Sequence, residues 1–229
     1  MKMDTLKTIA GGLVVSCQAL EDEPLHSSFI MARMAVAAQA GGAVAIRTNS
    51  VEDITAIRSA VSLPTIGIIK QDYAGSAVYI TPTKAEIDAL LATGTEIIAM
   101  DATMRQRPAE TLPELVEYCR KVAPKVLLMA DIDSIANAKY AETLGFDIIA
   151  PTLMGYTDET KDWNIADNGF ERLKQMLKDI TTPIIAEGHI DTPEKAKRVL
   201  ELGVHAVVVG GAITRPQQIT ERFVETMKK

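Results

Sequence analysis

Eight short apolar runs recur along this chain of 229 residues, and each run ends at a polar residue or at a glycine. The runs are rich in β-branched residues and lack polar alternation, which is typical of strands that are buried on both faces. Segments with helical periodicity separate the runs, so the strands are expected to pair in parallel through right-handed crossovers. The runs cover residues 13–18, 43–47, 65–70, 97–101, 126–131, 147–152, 183–188 and 206–211.

The number of runs favours a closed barrel over an open doubly wound sheet. An open sheet of that kind usually carries a glycine-rich fingerprint after its first strand, and Ser16-Cys17-Gln18-Ala19 is not one. We therefore predict an α/β fold, a (β/α)8 TIM barrel that forms a single domain over residues 1–229. Four small strand residues fit the packed layers inside such a barrel: Ala45, Gly67, Ala99 and Ala150.

Helix-capping signals mark the connecting helices. Asn49-Ser50 is a good N-cap pair before one helix, and Asp191-Thr192 precedes a proline and an acid at another helix start. Gly41-Gly42 is a helix stop signal. The predicted helices cover residues 28–39, 51–60, 83–93, 112–122, 134–144, 169–178, 193–202 and 217–227.

Composition excludes several kinds of partner. The formal net charge of −6 and the pI near 5.2 argue against nucleic acid as the main partner, because phosphate backbones select basic surfaces. No apolar stretch reaches the roughly 20 residues that a membrane-spanning helix needs, and Met1–Ala10 lacks the apolar core and cleavage site of a signal peptide. We therefore expect a cytoplasmic protein without a membrane partner. The three histidines and two cysteines show no ligand spacing, so no metal is predicted.

The C-terminal ends of the strands carry the chemistry in barrels of this class. Lys70 ends the third run, where desolvation and the nearby Arg47 are expected to lower the pKa of its amine. A neutral amine can abstract a proton or form a Schiff base. A lysine that reaches out to solvent, or that only contacts a phosphate, is the alternative.

Glu187 closes the seventh run, on the side of the ring opposite Lys70, which suits an acid and a base that flank one carbon atom. Its alternative role is a buried salt bridge to Lys70 or Arg215. Arg47 can capture a phosphate or carboxyl oxygen with its planar fork of donors, and Asp131 can bind sugar hydroxyls. For both Arg47 and Asp131, an ion pair within the rim is an equal alternative.

The last two loops have the features of a phosphate site. In barrels of this class, the loops after strands seven and eight and the start of a short helix commonly bind phosphate. Gly210 and Gly211 allow backbone N–H groups to approach an anion without a side chain in the way. Gly188 is expected to contribute from the seventh strand, with Arg215 beside the site.

Seven motifs, in this order, extend over nearly the whole chain. They are Ser16-Cys17-Gln18-Ala19-Leu20, Glu23-Pro24-Leu25, Ala45-Ile46-Arg47-Thr48, Gly67-Ile68-Ile69-Lys70, Met129-Ala130-Asp131, Ala186-Glu187-Gly188 and Val209-Gly210-Gly211-Ala212-Ile213-Thr214-Arg215-Pro216. On these motifs the chain resembles the bacterial N-acetylmannosamine-6-phosphate 2-epimerases. The resemblance implies conversion of N-acetylmannosamine 6-phosphate to N-acetylglucosamine 6-phosphate in sialic acid and aminosugar catabolism, without a dissociable cofactor, and in a homodimer.

The resemblance also implies roles for particular residues. The lysine that matches Lys70 is the family's base, and the glutamate that matches Glu187 is its acid. The sugar phosphate is held by the residues that match Gln18, Arg47, Asp131 and Arg215. Inversion at C2 agrees with this division, because it needs a base to remove the proton beside the C1 aldehyde of the open-chain sugar and an acid to return one on the opposite face.

Three alternative functions remain open at this point. A ketose-phosphate 3-epimerase would carry histidine metal ligands on several strand ends, which this sequence lacks. A Schiff-base aldolase would use Lys70 to form a covalent adduct that borohydride traps. A sugar-phosphate-binding barrel without activity would have lost the acid or the base, yet Lys70 and Glu187 are both present. Asp101 and Thr152 also end strands, and the sequence assigns neither of them a role.

Overall fold

Eight parallel strands form the centre of the molecule. The computed structural model describes residues 2–228, apart from the side chain of Met3. Most strands are shorter than the apolar runs that predict them, because the ends of the runs continue into loops. The strands are β1 (Leu13–Cys17), β2 (Ala45–Asn49), β3 (Thr65–Ile68), β4 (Ile97–Asp101), β5 (Leu127–Asp131), β6 (Ile148–Ala150), β7 (Ile185–Ala186) and β8 (Ala206–Val209).

The strands close into a ring. Their hydrogen-bonded order is β6-β5-β4-β3-β2-β1-β8-β7, and neighbouring strands pair in parallel. A parallel bridge between Ile149 and Ile184 joins β6 to the residue before β7, and the Ile149 N–H donates to the Pro183 carbonyl oxygen at 3.0 Å. The predicted (β/α)8 barrel is therefore confirmed.

The helices lie where the capping signals predict them. All eight predicted helices are found, with both ends within two residues of the expected positions, whereas α1 and α9 were not expected. Within residues 2–228 the helices are α1 (Lys2–Ile9), α2 (Ser28–Ala40), α3 (Val51–Ala60), α4 (Lys84–Thr93), α5 (Leu112–Val122), α6 (Ile135–Thr143), α7 (Asp167–Asp179), α8 (Pro193–Glu201), α9 (Gly211–Thr214) and α10 (Pro216–Met227).

Side-chain caps explain why two of these helices begin where they do. The Ser50 hydroxyl accepts a hydrogen bond from the Asp53 N–H at 3.1 Å at the start of α3. The Thr192 hydroxyl accepts one from the Lys195 N–H at 3.2 Å at the start of α8. Each bond satisfies a backbone donor that has no partner within its own helix.

Side chains from alternate strand positions fill the barrel interior. The strand residues of this interior cluster are Val14, Ala45, Ile66, Ile68, Ile97, Ala99, Leu127, Met129, Ile148, Ala150, Ile185, Ala206 and Val208. Ala45, Ala99 and Ala150 are therefore inside the barrel, as predicted. The same alternation directs the next inward side chain of each strand towards the C-terminal mouth.

Gly67 does not belong to this interior, and its predicted place there is wrong. A Cβ built at Gly67 would lie 3.0 Å from side-chain atoms of Ile54 in α3 and of Leu90 in α4. Its neighbours Ile66 and Ile68 point inward, so the pleat turns Gly67 outward. The missing side chain allows these helices to pack closely on β3.

The thiol of Cys17 faces the helices rather than the barrel mouth. It packs in a buried cluster with Met31 and Ala35 of α2, as its alternation with Gln18 predicts. Burial, with a smaller contribution from Asp53, raises the pKa of this thiol to about 12. A thiol held neutral in this way is a poor nucleophile.

Helix α1 covers the N-terminal end of the barrel. Ile9 is fully buried in the interior cluster, and Leu6 packs against that cluster. The His205 ring nitrogen Nε2 lies 2.8 Å from the Leu6 carbonyl oxygen, which ties α1 to the segment before β8. The C-terminal end is the one that opens into a cavity. No helix within residues 2–228 has the length and apolar character needed to cross a membrane.

Candidate active site at the barrel mouth

A cavity of about 510 Å³ occupies the C-terminal mouth of the barrel. The predicted site residues that line it are Gln18, Arg47, Lys70, Glu187, Gly188, Gly210, Gly211 and Arg215. The lining also includes Ser16, Tyr79, Thr152, Tyr156 and His189, together with Gln218, Glu221, Arg222 and Glu225 of α10. Every predicted site residue except Asp131 is therefore part of the cavity wall.

Strand alternation explains why these side chains converge. Ile68 of β3 points into the barrel, so Lys70, two residues further along, points into its mouth. Glu187 likewise lies two residues after the inward-pointing Ile185 of β7, and Arg47 lies two residues after the inward-pointing Ala45 of β2. Strands β3 and β7 lie four strand positions apart in the eight-stranded ring, so Lys70 and Glu187 approach the cavity from opposite sides.

Lys70 is held at the mouth by its backbone, and its amine is desolvated. Its N–H donates to Asn49 Oδ1 at 2.8 Å, and an antiparallel bridge joins the residue to Ile80. Burial lowers the pKa of the Lys70 amine to about 8, and the positive charges of Arg47 and Arg215 add to this effect. A substantial fraction of the amine is therefore neutral near pH 8, as a base requires.

Arg47 carries a buried charge, with 1% of its side chain exposed. Its Nη1 and Nη2 donate to Oδ1 and Oδ2 of Asp131 at 3.1 and 2.6 Å, and Nη1 lies 3.2 Å from Glu187 Oε2. Burial opposes the charge, but the two carboxyl groups outweigh it and raise the pKa of Arg47 above its ordinary value. Within residues 2–228 its buried Nε–H has no hydrogen-bond partner.

The Asp131 carboxylate is completely buried beside Arg47 and does not line the cavity. Both of its oxygens accept hydrogen bonds from Arg47, and Oδ1 also accepts one from the Thr152 hydroxyl at 2.7 Å. The geometry favours the ion pair within the rim, one of the two roles that the sequence leaves open. Direct binding of sugar hydroxyls by Asp131 stays a prediction.

The Glu187 carboxyl has the properties of an acid that works near neutral pH. Burial raises its pKa to about 7, with Arg47 opposing the rise and the Asp131 charge adding to it. Its ion-pair partner is Arg47, rather than the Lys70 or Arg215 partner considered from the sequence. A carboxyl that is about half protonated near pH 7 can deliver a proton under ordinary conditions.

The predicted phosphate-binding residues lie at the ends of β7 and β8. Gly188 has a φ of +96°, a backbone conformation that favours glycine. Gly210 follows directly after β8, and Gly211 begins the short helix α9. Arg215 lines the cavity next to them, with its Nε 2.9 Å from Oε1 of Glu23. This end of the cavity offers glycine backbone and the Arg215 guanidinium group to an anion.

The sequence assigned no role to Thr152, and it offered Tyr156 as a possible lid contact without predicting that it pairs with His189. Thr152 follows the inward positions Ile148 and Ala150 of β6, so the strand alternation was a usable signal. Tyr156 and His189 stack with ring centroids 4.9 Å apart and an angle of 9° between the rings. Their meeting depends on the conformation of two loops, which no local pattern reveals.

Asp101, the other strand-ending residue without a predicted role, holds a loop in place. Its Oδ1 accepts hydrogen bonds from the N–H and the hydroxyl of Thr103 at 2.9 and 2.7 Å, and its Oδ2 accepts one from Arg105. The side chain is fully buried and does not line the cavity. Asp101 therefore shapes the loop after β4.

Known proteins resemble this chain along nearly its whole length. A model of the family described as "Putative N-acetylmannosamine-6-phosphate epimerase" matches residues 31–229. A protein of Listeria welshimeri named "Putative N-acetylmannosamine-6-phosphate 2-epimerase" is 57% identical over 230 residues, which cover 100% of this chain and 98% of the relative. A protein of the same name from Staphylococcus haemolyticus is 57% identical over 221 residues, which cover 96% of this chain and 99% of the relative.

Two solved structures are also similar to this chain. The structure of the N-acetylmannosamine-6-phosphate 2-epimerase from Clostridium perfringens has a TM-score of 0.92 and 51% identity, and the match covers 96% of this chain and 95% of that one. Thiamine phosphate pyrophosphorylase from Pyrococcus furiosus has a TM-score of 0.63 and 18% identity, over 97% and 96% of the two chains. At that identity the second likeness shows the fold alone.

The buried pair of Arg47 and Asp131 leads to a stability prediction. We expect Asp131→Asn to lower the free energy of unfolding by about 3 kcal/mol, because it leaves the buried Arg47 charge poorly compensated. Urea unfolding followed by circular dichroism measures the change. Asp179→Asn is the control, since the Lys139–Asp179 ion pair lies nearer the surface and is expected to contribute less than about 1 kcal/mol. Equal losses in the two variants would contradict the prediction.

Proposed function

This chain belongs to the N-acetylmannosamine-6-phosphate epimerase family, and we propose that it converts N-acetylmannosamine 6-phosphate into N-acetylglucosamine 6-phosphate by inverting C2. One observation carries the proposal. Lys70 and Glu187 line one cavity from opposite strands, and burial brings the pKa of the first down to about 8 and that of the second up to about 7. The reaction would stand in sialic acid and aminosugar catabolism, as the resemblance implies.

The proposed proton transfers balance without a cofactor. Neutral Lys70 takes the proton from C2 of the open-chain sugar, and the electron pair of the broken C–H bond moves into an enolate at C1 and its oxygen. Glu187 then gives its proton to C2 from the opposite face, which reforms the C1 carbonyl and leaves a carboxylate. The proton on Lys70 afterwards returns to Glu187 through solvent. Two groups on opposite sides of one carbon are what such an inversion needs.

The remaining lining residues suit the rest of the substrate. Arg47 lines the cavity, and its fixed guanidinium group is a preorganised donor of the kind that binds a sugar oxygen and stabilises a developing enolate. Gln18 orients the sugar from the end of β1, where its amide nitrogen donates to the Ser16 hydroxyl at 2.8 Å. Arg215 holds the phosphate at the glycine end of the cavity. Asp131 acts in this proposal by fixing Arg47.

The carbon-acid chemistry is tested by deuterium exchange. When the protein is incubated with N-acetylmannosamine 6-phosphate in deuterated water, we expect deuterium at C2 and formation of the gluco epimer, both followed by proton NMR. Lys70→Ala and Glu187→Gln should each lower the rate at least about a hundredfold, because each removes one proton-transfer group. Lys197→Ala is the control, since Lys197 is a strongly exposed lysine of α8 and its loss should leave the rate unchanged.

Two results would argue against this assignment. Normal turnover by Lys70→Ala would exclude Lys70 as the base. A covalent adduct on Lys70, trapped by borohydride in the presence of substrate, would instead indicate the Schiff-base aldolase.

The two pKa values predict a narrow pH optimum. The forward reaction needs neutral Lys70, which is lost as the pH falls below about 8, and protonated Glu187, which is lost as the pH rises above about 7. We expect kcat/KM to follow a bell-shaped curve with its maximum between pH 7 and pH 8. Initial rates from pH 5 to pH 10 measure it. A rate that rises steadily to pH 10 would be inconsistent with Glu187 as the acid.

We also propose a cytoplasmic location and a homodimer. A sugar phosphate carries charges that oppose its passage through a bilayer, so an enzyme that uses one suits the compartment where it is made. Helix α10 has no buried residue among those described, and it exposes 68% of Phe223 and 83% of Met227. Contiguous exposed apolar side chains of this kind mark contact surfaces, and a second copy of this chain is the proposed partner.

Light scattering after size-exclusion chromatography tests the dimer. We expect a mass about twice the 24.8 kDa of one chain. Phe223→Asp should shift the mass towards the monomer, because it places a charge in the apolar contact, whereas Lys197→Ala should not. A single-chain mass for the unmodified protein at micromolar concentration would exclude the dimer.

A further inference from the structure

We propose that Thr152 is a positioning residue, which holds the Glu187 carboxyl so that its proton lies on Oε1, the oxygen left for the substrate. The inference deepens the proposed function and rests on it, since it concerns the acid of that reaction. Thr152 lines the cavity at the end of β6.

Both of the polar contacts described for the Glu187 carboxyl involve one of its oxygens, Oε2. Arg47 Nη1 lies 3.2 Å from Oε2, and the Thr152 hydroxyl oxygen lies 3.2 Å from the same Oε2. A proton is disfavoured on this oxygen, because the Arg47 cation beside it repels added positive charge and the Thr152 hydroxyl hydrogen uses one of its lone pairs. The proton of the acid form is therefore favoured on Oε1.

Thr152 also connects Glu187 to the buried ion pair. Its hydroxyl lies 2.7 Å from Asp131 Oδ1, and Arg47 binds both oxygens of Asp131. A hydroxyl has one proton, so it is directed mainly to the nearer Asp131 oxygen and shared with Glu187 in a three-centre hydrogen bond. The hydroxyl thus shields Glu187 from the Asp131 charge and donates to Glu187 itself.

Loss of this hydroxyl is expected to change the pKa of Glu187 in one direction only. Oε2 loses a donor that favours the ionised carboxylate, and more of the negative charge of Asp131 faces Glu187. Both effects raise the pKa of Glu187. A threonine that only supported the loop after β6 would not have this effect, because its loss would alter stability without altering that pKa.

The experiment titrates Glu187 directly. The protein is labelled with carboxyl-13C glutamate and followed by NMR from pH 4 to pH 10, and Glu187→Gln identifies the signal by its disappearance. We expect the pKa of Glu187 to be higher by about 1 in Thr152→Val, and to return towards the wild-type value in Thr152→Ser, which keeps a hydroxyl. Thr152→Ala is the second variant should Thr152→Val fail to fold.

Thr157→Val is the matched control for structural damage. Its hydroxyl, in the same loop, donates to Asp133 at 2.9 Å, and the residue is buried away from the cavity lining. This variant should lose stability and leave the pKa of Glu187 unchanged. In an activity assay, Thr152→Val should lower kcat about tenfold and change KM by no more than about twofold. It should also shift the alkaline limb of the pH profile to higher pH.

The outcomes separate the two proposals. The titration needs no substrate, so absence of epimerase activity in the unmodified protein would overturn the proposed function while the titration still decides whether Thr152 tunes Glu187. An unchanged or lowered pKa of Glu187 in folded Thr152→Val would overturn the role of Thr152, even with normal turnover of the unmodified enzyme.

Discussion

The buried guanidinium of Arg47 is the charge on which the barrel mouth depends. A cation with 1% of its side chain exposed is stable only when paired and hydrogen-bonded, and Asp131 and Glu187 satisfy that condition. Its presence lowers the pKa of Lys70 and opposes the rise in the pKa of Glu187. One buried cation therefore influences the pKa values of the proposed base and the proposed acid together, and a change at Arg47 would disturb both.

Much of the fold and of the site follows from strand alternation. A run of known inward positions predicts that Lys70 and Glu187 reach the mouth, because the pleat has a period of two. The same rule also places Gly67 outside, and the expectation of Gly67 within the barrel failed because it used residue size and neglected that period. The alternation does not say whether an inward side chain reaches the cavity. Asp131 has the inward parity of Met129, yet it is completely buried in its ion pair with Arg47 and does not line the cavity.

Other features depend on contacts between distant segments. Helix α1 has a mixed sequence without a clear helical pattern. Its position depends on burial of Ile9 against the barrel, which the local sequence does not predict. The loop after β6 is shaped in the same way: a Cβ at Gly155 would lie 2.4 Å from the Trp163 carbonyl oxygen, so glycine is needed there. His189 adopts a left-handed φ of +54°, a strained backbone that accompanies its stacking on Tyr156.

Burial also makes the reactive protonation state accessible. The proposed forward reaction starts with Glu187 protonated and Lys70 neutral and ends with Glu187 ionised and Lys70 protonated, and the reverse reaction starts from the second state. With ordinary pKa values of 4.5 and 10.5, holding the proton on the glutamate instead of the lysine would cost about 8 kcal/mol. With values of about 7 and 8 the cost falls to about 1 kcal/mol. The state that starts the proposed forward reaction is then only about tenfold less populated than the state that starts the reverse reaction. Burial of the mouth is what brings the two states this close in free energy.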